Sequence, residues 1–188
     1  MTPVAFLDAS VLYPSTIRSV LMFLAAFDAF RAQWSEDIHR EWTAALARDR
    51  PDLDAKRIAR TRALMEAHLP SAMVTAYQRR IASLVLPDPD DRHVLAAELH
   101  CKAHVIVTTN LRHFPKAVLS SHGISAQHPD DFVCDMIVAN RDRAVLAFAA
   151  DRARMVNPPH SVAEYVNGIE AGGLKQLAAM LLGLSERL

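Results

Sequence analysis

The run His104-Val105-Ile106-Val107-Thr108 constrains this chain more than any other stretch. Its β-branched residues crowd a helix but pack well on a pleated surface, and its length suits a strand rather than a helix. Near the start, Val4-Ala5-Phe6-Leu7 is a second short run of the same kind, apolar throughout as strands covered on both faces are. The run at Val4 to Leu7 ends on Asp8, the run at His104 on Thr108-Thr109-Asn110. Strands of this type pair in parallel and need helical crossovers between them. In such open α/β sheets ligand sites gather at the C-terminal ends of the strands, so these polar residues have a position as well as a chemistry.

The intervening sequence supplies the crossovers. From Thr16 to Phe30 the apolar residues Ile17, Val20, Leu21 and Leu24 recur at helical spacing, with Arg18 near the start of the helix. Gln33-Trp34 reads as a brief strand, after which Ser35 caps a helix whose first turn holds Glu36 and Asp37. On that helix Ile38, Trp42, Ala45 and Leu46 form the apolar stripe, and Glu41 sits at its edge, where it can lean into a flanking cleft. The segment from Arg50 to Leu69 is polar and basic and reads as an outer helix.

The stretch Leu86-Pro87-Asp88-Pro89-Asp90-Asp91-Arg92-His93 then opens a buried helix carrying Val94, Leu95 and Glu98. Asp88 suits an N-cap, Pro89 the first helical position, and Asp90 and Asp91 the positive end of the helix dipole. One carboxylate suffices for a cap. Three in four positions set like charges close together, at a Coulomb cost that a cation or solvent relieves. Beyond the second strand, Ala117-Val118-Leu119 reads as a short helix stopped by Gly123, Ile124 to Gln127 as an edge strand, and His128-Pro129-Asp130 as a further helix start.

At 188 residues with 51% hydrophobic content the chain can bury a full domain core. We divide it into residues 1–133, an α/β domain, and residues 134–188, a helical C-terminal region. In that region Asn157-Pro158-Pro159 breaks the helical pattern, Ser161 reads as an N-cap and Gly172-Gly173 separates the last two helices. Leu174, Leu177, Ala178, Leu181 and Leu182 make a stripe to be covered by its own domain, a second copy or another protein.

Lysine plus arginine and aspartate plus glutamate each number 21, so no global field draws in a polyanion and any nucleic acid must be held by local patches. Cys101 and Cys134 stand far apart and in no C-x-x-C pattern, which argues against a disulfide scaffold or a cysteine zinc site and fits a reduced cytoplasm. The N-terminal residues lack the basic and apolar regions of a signal peptide, and no apolar run is long enough to span a bilayer. His93, His113 and the other histidines show no metal-ligand spacing and are read as structural or surface residues.

Four stretches together resemble the successive motifs of a PIN-domain nuclease: Leu7 to Leu12, Glu41 on its helix, Asp88 to Ala97, and Val105 to Pro115. Their order and separations are similar too. Within that family the chain looks like the VapC-like toxins of bacterial toxin–antitoxin pairs, in the longer variety with a helical C-terminal region. The resemblance implies a three-layer α/β/α fold around a central parallel sheet. It also implies that Asp8, Glu41 and Asp91 hold Mg²⁺ or Mn²⁺, that Asn110 stands where many members carry an acid, and that RNA is cut to leave a 5′-phosphate and a 3′-hydroxyl. An amide contributes no charge, so one-metal and two-metal operation both stay open.

The residue types agree with hard cations, because three acids without a cysteine or histidine cluster favour Mg²⁺ or Mn²⁺ over zinc. Asp88 is an accessory candidate ligand, and Thr108 and Ser10 are candidates for positioning metal-bound water. Arg112, Lys116 and Arg18 are the residues expected to meet RNA phosphates. Expected partners are an RNA substrate such as tRNA or rRNA, a cognate antitoxin and a homodimer mate, with no membrane. Two other classes stay open: a PIN-like module that binds RNA or protein without catalysis, and a metal-dependent small-molecule phosphatase.

Overall fold

The computed structural model describes residues 2–188. Five strands, β1 (Val4–Leu7), β2 (Arg31–Ser35), β3 (Met73–Val74), β4 (Val105–Val107) and β5 (Ser125–Gln127), form one sheet. All pair in parallel, in the order β3-β2-β1-β4-β5. From β1 the chain moves outward to β2 and β3, then returns to the other side of β1 as β4. The order therefore reverses between β1 and β4, whose C-terminal ends flank the crevice where ligands of open α/β sheets bind.

The connections are helical. Helices α1 (Ala9–Leu12) and α2 (Ser15–Ala26) lead to β2, and α3 (Glu36–Asp49) and α4 (Ala55–His68) lead to β3. Helix α5 (Arg92–Cys101) leads to β4 and α6 (Lys116–Ser120) to β5. Right-handed crossovers in opposite directions place α1 to α4 on one face of the sheet and α5 and α6 on the other, giving three α/β/α layers. Helix α5 packs along β1, β2 and β4, and its Val94, Leu95, Ala96 and Ala97 are fully buried. The expected strand at Gln33-Trp34 extends over Arg31–Ser35, because pairing with β1 orders residues that carry no alternation of their own.

Ser35 accepts the Ile38 N–H as the cap of α3, and Gly123 takes a positive φ after α6, as their sequence positions imply. The C-terminal part consists of α7 (Pro129–Ala139), α8 (Arg141–Ala153), α9 (Val162–Ala171) and α10 (Lys175–Leu182). Ser161 forms a capping box with Glu164 at the start of α9. Residue 133, the expected division between domain and extension, falls within α7. A single apolar cluster runs from Phe6 in the sheet through Phe132 and Phe148 to Leu177 and Leu181.

Two buried carboxylates lock this region in place. Asp130 on α7 accepts the backbone N–H groups of Gln176 at 2.8 Å and Leu177 at 2.9 Å, capping α10, which has no side-chain cap of its own. Asp151 on α8 accepts from Ser19 on α2 at 2.7 Å, Tyr165 on α9 at 3.0 Å and Arg154 at 2.7 Å. The stripe Leu174, Leu177, Ala178 and Leu181 is thus covered by its own chain. Leu182 is a correction: assigned to the stripe by spacing, it is 61% exposed, because the covering helices meet the face centred on Leu177 and Leu181.

Candidate active site

The site lies at the C-terminal ends of β1 and β4. Leu7 pairs with Val107, and the Asp8 N–H continues the ladder to the Val107 carbonyl at 3.1 Å, so Asp8 and Thr108 leave the sheet side by side. Asp8 is 4% exposed. Its Oδ2 accepts from the Ser10 hydroxyl at 2.6 Å and the Thr108 hydroxyl at 2.7 Å. Those hydroxyls are fixed in turn: Ser10 Oγ accepts the Thr109 N–H at 3.1 Å and Thr108 Oγ1 the Asn110 N–H at 3.0 Å. Ser10 and Thr108 therefore both orient this carboxylate, and their own hydroxyl oxygens stand 3.2 Å apart.

Asp88 divides its two oxygens between a cap and a neighbouring imidazole. Oδ1 accepts the Asp90 N–H at 2.9 Å and caps the short 3₁₀ turn Pro89–Asp91, while Oδ2 lies 3.9 Å from His113 Nδ1. Asp91 ends that turn, with Oδ2 2.7 Å from His113 Nδ1. Donor atoms of Asp88, Asp91 and His113 all lie within 4.8 Å of one another. Burial, then the negative charges of Asp8 and Asp88, push the Asp91 carboxyl above its ordinary range, against the opposing pull of His113.

Glu41 projects from α3 and pairs with His93 on α5, Oε1 to Nε2 at 2.7 Å. Burial alone would lower the His93 pKa, but the hydrogen bond and charge of Glu41, with Asp37 and Asp8 further off, raise it. Asn110 is exposed, and with Ser10, Glu41 and Trp42 it lines an open cleft of about 520 Å³ beside the acidic group. The four acids and Asn110 thus face one sheet edge. The three donors that converge, however, are Asp88, Asp91 and His113, while the carboxylates of Asp8 and Glu41 are each held by neighbours of their own.

Two histidines read from sequence as structural or surface residues are in contact with the acids. No spacing rule finds them, because each meets its carboxylate only through tertiary closure. The usable hint was local: His93 lies in the first turn of α5, just past Asp91, and His113 in the turn after Asn110.

The expected phosphate contacts divide. Arg112 and Lys116 are exposed beyond β4, and Arg112 Nε donates to His113 Nε2 at 3.2 Å. Arg18 lies apart from these two. Its guanidinium donates to the carbonyls of Leu12 and, at 3.0 Å, Tyr13, and stacks 5.1 Å from the Trp42 ring centroid. Desolvation, then the charge of Arg154, lower its pKa to about 10. It braces the junction of α1 and α2.

Comparison with known proteins agrees with this architecture. The VapC50 C-terminal domain profile matches residues 129–183. A Mycobacterium tuberculosis protein named "Putative ribonuclease VapC50" is 57% identical over 47 residues, covering 25% of this chain and 28% of that protein. The match therefore spans under a third of the relative's length, and no solved structure matches the chain significantly. The PIN domain profile matches residues 5–112, more than half of the chain, including Asp8, Glu41, Asp91 and Asn110. The chain belongs to the PIN-domain family.

Proposed function

We propose that this protein is a metal-dependent endoribonuclease and the toxin of a bacterial toxin–antitoxin pair. The observation that carries the reading is the convergence of Asp88, Asp91 and His113 at the sheet's switch point, where burial first, and then the charges of Asp8 and Asp88, push the Asp91 carboxyl up although His113 bonds it. A divalent cation relieves such repulsion, and an oxygen-rich donor set with one imidazole fits Mg²⁺ or Mn²⁺. Asp91 and Asp88 would hold it, with Asp8 and Glu41 adjoining and Asn110 as a neutral orienting group. When bound, the ion lowers the pKa of a water molecule and neutralises charge on the phosphate.

The residues of the chain supply orientation. Ser10 and Thr108 fix Asp8, His93 fixes Glu41, and the exposed Arg112 and Lys116, which follow β4, offer phosphate contacts. Water attack on phosphorus with departure of the 3′-oxygen leaves a 5′-phosphate and a 3′-hydroxyl. With balanced charge the protein attracts long polyanions weakly, so the substrate is a structured RNA such as tRNA or rRNA, cut where a loop splays its backbone. An antitoxin partner is inferred from the relative's VapC name. A cytoplasmic location fits two unpaired cysteines and the lack, among the described residues, of a helix long and apolar enough to cross a membrane.

The test is an assay of the purified chain on RNA, DNA and a small phosphate ester, with Mn²⁺ and with EDTA. Cleavage of RNA only, lost in EDTA, is expected. Binding without cleavage would favour an idle module, and turnover of the ester a phosphatase.

A further inference from the structure

His113 lies just past the stretch matched by the PIN domain profile, yet it is the residue about which the two closest carboxylates gather. Its ring is placed by a fixed turn. The His113 N–H bonds the Asn110 carbonyl at 2.9 Å, and the next residue, Phe114, is 3% exposed and anchors the turn in the core. Opposite, Asp88 spends Oδ1 on its cap and keeps Oδ2 toward the imidazole.

The spacing fits ligands of one small cation. Donors about 2.1 Å from an octahedral ion stand about 3.0 Å apart when adjacent and about 4.2 Å apart when opposite. Here the His113 Nδ1 distances are 2.7 Å to Asp91 and 3.9 Å to Asp88, each within a few tenths of an ångström of those values, and all three donors lie within 4.8 Å of one another. In the present arrangement Arg112 donates to Nε2, so the ring proton lies on Nδ1, between the nitrogen and Asp91. That is the position a cation would take.

We propose that His113 is a nitrogen ligand, with Asp88 and Asp91, of a divalent cation, and that this nitrogen biases the site toward Mn²⁺, Co²⁺ or Zn²⁺ over Mg²⁺. The inference rests on the metal-dependent reading above. On binding, the single ring proton passes from Nδ1 to Nε2, which frees the Nδ1 lone pair for the ion, and the exposed Arg112 gives up its bond to Nε2. Imidazole suits the borderline ions, whereas Mg²⁺ demands oxygen ligands and dehydrates reluctantly. The sequence-level preference for hard cations is modified accordingly.

The test uses the full chain loaded with Mn²⁺ and read by pulsed electron paramagnetic resonance for ¹⁴N coupling, with Mg²⁺ displacement followed in parallel. Coupling is expected in the wild type and in His93→Gln, and should convert to ¹⁵N coupling when histidine alone is ¹⁵N-labelled. It should vanish in His113→Asp while Mn²⁺ still binds, with the Mn²⁺-to-Mg²⁺ preference falling about tenfold or more. Bound Mn²⁺ without nitrogen coupling in the wild type overturns the role of His113 and leaves the metal reading intact. Failure to bind Mn²⁺ at all overturns both. Should His113→Asp fail to fold, the labelled wild type decides alone.

Discussion

The Thr108 hydroxyl donates to Oδ2 of Asp8 at 2.7 Å across 100 residues of sequence, joining the ends of the two central strands inside the site. The bond orients the carboxylate and offsets part of the cost of burying it. Thr108→Val keeps the shape and removes the donor. Ribonuclease activity should fall by about 10- to 100-fold, the usual cost of losing a partner that orients a metal-site ligand. The circular dichroism spectrum should be unchanged. Undiminished turnover in Thr108→Val would remove Thr108 from the site.

Glu98 on α5 is fully buried, and neither carboxylate oxygen has a hydrogen-bond partner among the described residues. Burial pushes its pKa from 4.5 to about 8. Because the folded value is the higher one, the stability it favours is complete below about pH 4.5 and is lost as pH rises to about 8, at about 1.4 kcal/mol per unit. Glu98→Gln cannot ionise and should flatten that slope, gaining on the wild type in denaturant melts between pH 5 and pH 8. Parallel stability profiles for the two proteins would contradict this assignment.

Much of the frame was legible because it is written in local chemistry. The β-branched run before Thr108, the apolar run before Asp8, and the caps Ser35, Asp88 and Ser161 each state a structure within a few residues. Strand β3, at Met73–Val74, is too short to show alternation, and only pairing with β2 makes it a strand. The acids of the site could be named, yet their partners could not. His113 meets Asp91 through the order of the strands, and Arg18 meets the ring of Trp42 on another helix through packing that its own neighbours in sequence do not reveal.

The lock between α7 and α10 predicts how the C-terminal region fails. Asp130→Ala leaves the Gln176 and Leu177 N–H groups without their acceptor, which should cost about 2–4 kcal/mol, read as a lower denaturant midpoint. Truncation after Pro159 removes Tyr165, Leu177 and Leu181 themselves and should reduce solubility by exposing the apolar surface they cover. A truncated chain as soluble and stable as the full one would show that α9 and α10 merely rest on the domain.

The central claim is that the acids at the switch point cut a structured RNA. Expression of the wild-type chain beside Asp8→Asn, which keeps the size of the side chain and removes its charge, tests it in cells when RNA 5′ ends are sequenced from both cultures. The account predicts arrested growth and a dominant set of new 5′-phosphate ends in the loops of a structured RNA with the wild type, and neither with Asp8→Asn. Equal growth of the two cultures, or ends scattered through all transcripts, would contradict it.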